Sequence, residues 1–288
     1  MTDVLRISAF PAPSARNGGN PAGVVLDAAG LDETAMLAIA AETGYSETAF
    51  VLDIQEPAEA NGPGRVRIRY FSPTAEVPFC GHATVATAVA LADRHGTGLL
   101  LFDTAVGEVA IETAETANGE TTASFTSVEP SVTPMDDDVV DRLLSLLGLA
   151  RADLDPAYPP RLSFAGNVHP VIVLGSRETF DSFDFDPSRL RELMDEHGWA
   201  ATVTVLSPLG ESEFAARNLF PVGDITEDPA TGAAAAATGA YLRAIGAVKP
   251  PAQLRIQQGD HVGRPSLLRV TVPGSGGIVV TGGAARIE

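Results

Sequence analysis

The chain has 288 residues, 45% hydrophobic and 19% charged, a balance that fills hydrophobic cores and excludes a disordered chain. A formal net charge of −18 argues against nucleic acid and anionic membrane surfaces as partners, since both need clustered Lys and Arg. The single cysteine, Cys80, excludes an intrachain disulfide and a cysteine-rich zinc site.

The length suits two domains of about 150 residues each. The opening segment MTDVLRISAF lacks the basic-then-apolar layout of a signal peptide. No apolar run approaches the about 18 residues of a membrane span, so a soluble cytoplasmic protein is expected.

Val4–Phe10 alternates as a strand, Ser14–Pro21 is a turn-rich loop, and Ala22–Leu26 reads as a buried strand. Asp32 and Glu33 open an apolar-periodic helix to Thr43, stopped by Gly44. Thr48–Asp53 and Arg65–Phe71 are predicted strands flanking a loop over Glu56–Gly64. Period two puts Arg65, Arg67 and Arg69 on one face, most simply a solvent-facing strand edge. Small and apolar residues from Gly81 to Ala92 predict a buried helix, with a glycine stop at Gly96. Strands follow at Leu99–Thr104 and Glu108–Glu112. Ser127–Asp138, with two prolines and an acidic run, is the expected linker, and its aspartates suit the start of a helix over Val139–Leu149.

The second half repeats the plan of the first. Asn20-Pro-Ala-Gly-Val-Val-Leu26 is echoed by Asn167-Val-His-Pro-Val-Ile-Val-Leu174. Glu76-Val-Pro-Phe-Cys80-Gly81-His82 is matched by Glu227-Asp228-Pro-Ala-Thr231-Gly232-Ala233. The offsets are 147 from Asn20 to Asn167 and 151 from Gly81 to Gly232. One repeat of about half the chain implies duplicated domains, not a solenoid, whose period is about 20–50 residues. The expected boundaries are 1–127 and 128–276.

Each of the matched segments runs through an acidic residue and a proline to a glycine that opens a helix of very small residues. A helix start offers unpaired N–H groups and a partial positive charge, and glycine lets a ligand approach the backbone. Two such helix starts could clamp a carboxylate or a developing enolate between two similar domains without a metal or cofactor. The blander reading is two closely packed, ordinarily capped helices.

The chain resembles the PhzF-like family of phenazine biosynthesis, which shares the diaminopimelate epimerase fold. The residues that carry the resemblance are Gly19-Asn20-Pro21-Ala22, Tyr45–Phe50, Phe71–Thr84, Glu227–Gly232 and Gln258–Ser266, in the expected order. The resemblance implies an α+β fold of two pseudo-symmetric domains, each a curled mixed sheet around a central helix, with a last strand over about 277–288 returning to the first domain. It implies a cofactor-independent isomerase that moves a proton on a small carboxylate-bearing metabolite, with no metal, and a homodimer. Glu47 falls on the family's acid/base carboxylate, His82 on the histidine of its Gly-His motif, and Asp228 on the aspartate before Pro-Ala-Thr-Gly. The backbone around Gly81, Gly232 and Ala233 would hold the substrate carboxylate. Many relatives carry Ser where this chain has Ala233.

Cys80 separates two chemistries. Diaminopimelate epimerases and proline racemases use two opposed cysteines, and here the second position falls on Thr231. Cys80 is therefore expected mainly to fill a small buried space, with an epimerase using Cys80 against a non-thiol partner as the alternative. A non-catalytic ligand-binding protein of the same fold is the third reading. Arg264 is expected to form a structural ion pair or to contact substrate, and His95, His169, His197 and His261 to be structural or exposed.

Overall fold

The computed structural model describes residues 2–287 other than 14, 16, 56–61, 223 and 224. Much of the expected Glu56–Gly64 loop and part of the Ser14–Pro21 loop lie outside the described residues. The chain divides into two compact units, residues 1–126 with 281–288, and residues 127–280.

The first unit contains β1 (Leu5–Ala9), β2 (Asn20–Val25), α1 (Glu33–Thr43), β3 (Glu47–Gln55), β4 (Gly64–Phe71), β5 (Glu76–Val77), α2 (Gly81–His95), β6 (Leu99–Thr104), β7 (Gly107–Glu115) and β8 (Thr121–Thr126). α1 forms where expected. Asp32 caps it by accepting from the Ala35 N–H at 2.8 Å, and Gly44 ends it in the left-handed region at φ 73°. β1 pairs antiparallel with β2, β2 parallel with β3, β3 antiparallel with β4, β4 parallel with β6, and β6 antiparallel with β7. The short β5 lies antiparallel on β4. α2 touches β1, β2, β3, β7 and β8, so the sheet curls around it. Every residue of α2 from His82 to Ala92 is buried. Only small side chains allow a helix to be enclosed on all sides at this distance, which is why the segment is rich in Ala and Thr.

The second unit contains β9 (Ser131–Pro134), α3 (Asp137–Leu146), β10 (Arg161–Phe164), β11 (Val168–Val173), α4 (Arg177–Ser182), α5 (Pro187–Glu196), β12 (Val203–Gly210), β13 (Glu213–Val222), β14 (Ile225–Asp228), α6 (Gly232–Ala244), β15 (Ala252–Gln258) and β16 (Ser266–Val272). The pairings repeat in the same order: β10–β11 antiparallel, β11–β12 parallel, β12–β13 antiparallel, β13–β15 parallel and β15–β16 antiparallel, with β14 antiparallel on β13. α6 is the counterpart of α2 and touches β9, β10, β11 and β16. Gly239 lies so close to Val270, Val272 and Ile278 that an added Cβ would meet them at 2.9–3.3 Å. A larger core, including Leu143, Leu190, Leu193 and Trp199, fills the space under α3 and α5. The final strand, β17 (Val279–Arg286), pairs antiparallel with β1.

Three expectations are corrected. The segment read as a linker holds a strand, because β9 pairs antiparallel with β10 over Ser131–Pro134. Its prolines fall just before the strand and at its last residue, where a missing N–H is tolerated. The helix over Val139–Leu149 starts and ends earlier, at Asp137 and Leu146, with Gly148 at φ 66° closing the turn. Finally, the arginine row is not a sheet edge, since β4 has β3 on one side and β6 on the other. Arg65 and Arg67 are exposed, but Arg69 is held in a bidentate ion pair with Glu76 and lies 5.0 Å from the Phe71 ring centre.

Candidate active site

In the first unit, the starts of β3 and α2 bring Glu47, Cys80 and His82 together. Glu47 is the first residue of β3, placed by its parallel register with Ala22 on β2. Cys80 is the residue before α2 and His82 the second residue of that helix. The Cys80 thiol donates to Glu47 Oε2 at 3.5 Å and lies 3.4 Å from His82 Nδ1. His82 Nε2 is 3.5 Å from the same Glu47 oxygen. Cys80 and His82 are buried, whereas the Glu47 side chain keeps 21% of its surface accessible. The expected space-filling role of Cys80 is thus incomplete: its sulfur touches both proposed proton carriers.

A hydrogen-bonded chain fixes the start of α2. Thr84 Oγ1 donates to the Cys80 carbonyl at 2.7 Å. With that proton committed, Thr84 Oγ1 accepts from the Tyr70 hydroxyl at 2.6 Å. Tyr70 is almost wholly buried on β4, and burial pushes its phenol well above the ordinary tyrosine range, so it remains a neutral donor. Its ring packs edge-on against Phe79, just before Cys80.

Nothing in the fold itself requires a glycine at position 81. An added Cβ would meet only Phe79 Cε1, at an ordinary 3.9 Å. Cys80 makes no side-chain cap to α2. The N–H groups of the first turn, which have no intrahelical acceptor, are therefore left without a side-chain cap from Cys80 and without a side chain at position 81 to cover them.

In the second unit, Asp228 ends β14, Thr231 precedes α6, and Gly232 and Ala233 begin that helix. Thr231 Oγ1 donates to Asp228 Oδ2 at 2.5 Å, so its hydroxyl leaves the helix uncapped. Gln258, buried at the end of β15, ties the segment together. Its Nε2 donates to the Asp228 carbonyl at 2.6 Å and to Thr231 Oγ1 at 2.9 Å, while its Oε1 accepts from the Thr231 N–H at 3.2 Å. The next residue, Gly259, sits at φ 84°, and a side chain there would collide with the carbonyl oxygens of Pro229 and Arg264. The signature Gln258-Gly259 therefore locks the Asp228–Thr231 turn from behind.

The acidic residue of each matched segment is clamped by an arginine on the neighbouring strand. Glu76 accepts from Arg69 at 2.6 and 2.7 Å, and this bonding holds its carboxyl below the usual carboxylate range. Glu227 is clamped by Arg217, whose Nε and Nη2 donate to its carboxylate. Register makes the two pairs equivalent: Phe71 lies opposite Glu76, and Leu219 opposite Glu227. The second clamp is buried. Arg217 also donates to the Phe180 and Phe183 carbonyls and stacks 3.7 Å from the centre of the Phe183 ring. The matched acids were visible in the sequence, but Tyr70, Thr84, Arg217 and the role of Gln258 were not. Only the repeat of Glu76 as Glu227 hinted that each acid needed a partner.

Of the remaining histidines, three have structural settings and His95 is exposed. His169 is fully buried with Nδ1 3.1 Å from the Thr202 carbonyl, His197 stacks on Trp199, and His261 Nε2 lies 3.1 Å from Asp181 Oδ1.

Comparison with known proteins decides the family. The model for the phenazine biosynthesis-like protein family, PhzC-PhzF, matches residues 7–287. The chain belongs to this family. It is 34% identical over 276 residues to an uncharacterized isomerase of Mesorhizobium japonicum, covering 91% of this chain and 88% of that one. It is 31% identical over 268 residues to the trans-2,3-dihydro-3-hydroxyanthranilate isomerase of Pseudomonas chlororaphis, covering 93% and 89%. The solved phenazine biosynthesis protein of Bacillus anthracis superposes with a TM-score of 0.81 at 26% identity, over 100% of this chain and 97% of that one. A hydroxyproline epimerase from Agrobacterium vitis shares the fold at 13% identity, with a TM-score of 0.62 over 99% and 90%. The fold is thus the two-domain epimerase-like α+β type, and the protein is an enzyme of an isomerase family.

Proposed function

We propose that this protein is an isomerase that relocates a proton on a small carboxylate-bearing metabolite, with Glu47 as the acid/base. The convergence of Glu47, Cys80 and His82 to 3.4–3.5 Å at the uncapped start of α2 carries this reading. Glu47 takes a proton from carbon as its carboxylate and returns it to another atom on the same face. The first-turn amides at Gly81 and His82 stabilise the anion that forms between the two transfers. His82 donates to the Glu47 oxygen or to that anion. Within the second unit, the uncapped start of α6 at Gly232 and Ala233 is suited to an anion, and Asp228, held by Thr231 and Gln258, to a polar group. Ala233 offers its backbone N–H but no hydroxyl, which narrows the contacts available to the substrate. A dihydro-hydroxyanthranilate, the substrate class in the name of the Pseudomonas chlororaphis relative, has the required carboxylate and mobile proton. No step of this scheme uses a cofactor.

The first test is to find small carboxylates that raise thermal stability, since a ligand of the native state stabilises by mass action. Each is then incubated in deuterated water. Exchange at carbon supports the proposal, and tight binding without exchange reduces the protein to a ligand-binding module.

A second reading follows from the thiol's contact with the Glu47 carboxylate: an epimerase in which Cys80 itself carries the proton. Alkylation of Cys80 adds bulk as well as removing the thiol, so Cys80→Ser is the cleaner probe. Retained exchange favours Glu47, and complete loss with intact binding favours the thiol.

A further inference from the structure

Among the described residues, Glu47, Cys80 and His82 are the one group of three His, Cys, Asp or Glu side chains whose ligand atoms converge, all within 4.8 Å of one another. The donors are a sulfur, an imidazole nitrogen and a carboxylate oxygen, a set that suits a borderline-soft divalent cation and not magnesium or calcium. The spacing is as informative as the donor types. Zinc bond lengths of about 2.3 Å to sulfur and about 2.0–2.2 Å to nitrogen and oxygen give tetrahedral ligand–ligand edges of about 3.4–3.6 Å. The triangle here has edges of 3.5 Å from Sγ to Glu47 Oε2, 3.8 Å from Sγ to His82 Nε2, and 3.5 Å from Nε2 to Oε2. The sulfur lies nearer to His82 Nδ1, at 3.4 Å, than to Nε2, so a zinc ion on the Nε2 lone pair would require the imidazole ring to turn, while the sulfur and the Glu47 oxygen already stand at a ligand–ligand spacing of 3.5 Å.

The backbone that carries two of the ligands is already held. Cys80 and His82 flank Gly81 at the buried start of α2, and Thr84 and Tyr70 hold the Cys80 backbone. Glu47, the most accessible of the three, leaves a fourth position for water. Three protein ligands and one open position describe a binding site that an ion can enter and leave.

We infer that Glu47, Cys80 and His82 form a site for a zinc-like cation, whose occupancy switches the enzyme off. Binding forms the sulfur–metal bond and releases the Cys80 thiol proton to solvent. It also commits the Glu47 oxygen that the reaction needs as a base. The inhibitory half of this inference rests on the role proposed for Glu47, whereas the binding half does not.

Cobalt(II) is the probe, because a cobalt–thiolate bond gives an intense near-ultraviolet charge-transfer absorption that oxygen-only sites lack. The expected result is one strongly held equivalent per chain with that absorption, displaced by zinc and unaffected by excess magnesium. Cys80→Ser should abolish the absorption. His82→Asn should weaken binding by more than the about 10- to 100-fold that loss of an outer-shell partner costs. Binding that lacks the thiolate absorption, or that survives both substitutions, would place the ion on surface carboxylates and overturn the inference. Zinc should block exchange stoichiometrically, with chelation restoring it; exchange that persists in the zinc-loaded protein would overturn the switch. Cobalt bound as described in a protein that never catalyses exchange would leave the metal site standing and the proposed reaction refuted.

Discussion

Cys80 and Thr231 take the same place in the two units, each preceding a helix that opens on glycine, and neither side chain caps its helix. Threonine is a good capping residue, worth about 1 kcal/mol in that role. Here its hydroxyl bonds Asp228 instead, as the Cys80 sulfur turns to Glu47 and His82. Both helix starts give up a cap, and both direct the freed side chain to a residue proposed for the site. The units thus share uncapped helix starts but differ in their titratable groups, because His82 has Ala233 as its counterpart. This asymmetry favours transfer on one face over a symmetric two-thiol racemisation.

Gly81 separates function from folding. Its Cβ space is open and its backbone helical, so Gly81→Ala should leave stability unchanged or raised by up to about 1 kcal/mol. If the first-turn amides hold the substrate anion, the same substitution should lower kcat/KM at least tenfold, a barrier change of about 1.4 kcal/mol. Full activity with an added methyl group would remove α2 from the anion site.

The two arginine clamps should differ in strength. Glu227→Ala leaves Arg217 buried without its anion and should cost about 3–5 kcal/mol. Glu76→Ala acts on a pair whose members remain 28% and 35% accessible, and should cost about 1 kcal/mol or less. Trp199, the single tryptophan, is buried in the second unit and reports the first of these by fluorescence during urea unfolding. Circular dichroism reports the second. Equal costs would contradict the difference in burial.

His169 predicts an acid limit for the second unit. Burial lowers its pKa from the ordinary 6.5 to about 4, despite the bond to Thr202. The folded state favours the neutral ring, so the unfolded chain binds the proton first. Stability from this group is complete above pH 6.5 and falls as the pH drops toward 4, by up to about 3 kcal/mol. Unfolding followed at Trp199 should show this slope, and His169→Gln should remove that share of it. An unchanged slope would mean that carboxylates alone set the acid limit.

The sequence revealed more of the frame than of its connections. α1 was legible because Asp32 and Gly44 are local signals, and the central helices because Gly81 and Gly232 head runs of small residues. The echo of Asn20 in Asn167 revealed the duplication. β9 was hidden because Pro130 and Pro134 read as breakers until pairing with β10 showed that they bracket the strand. Arg69 looked solvent-facing because its partner, Glu76, is brought back by the β4–β5 hairpin. Cys80 looked like filler because nothing local shows that β3 delivers Glu47 to its sulfur. What the sequence lacked in each case was a contact made by tertiary pairing.

The most direct measurement is deuterium exchange by Glu47→Gln with a carboxylate that binds the wild-type enzyme. The substitution keeps the side-chain shape and an oxygen acceptor but removes the base. Binding, read as a thermal shift, should stay within about tenfold of wild type, while exchange at carbon should fall by the about 10²–10⁴-fold that general acid/base catalysis contributes. Exchange at the wild-type rate in this variant would contradict the assignment of Glu47 and, with it, the proposed mechanism.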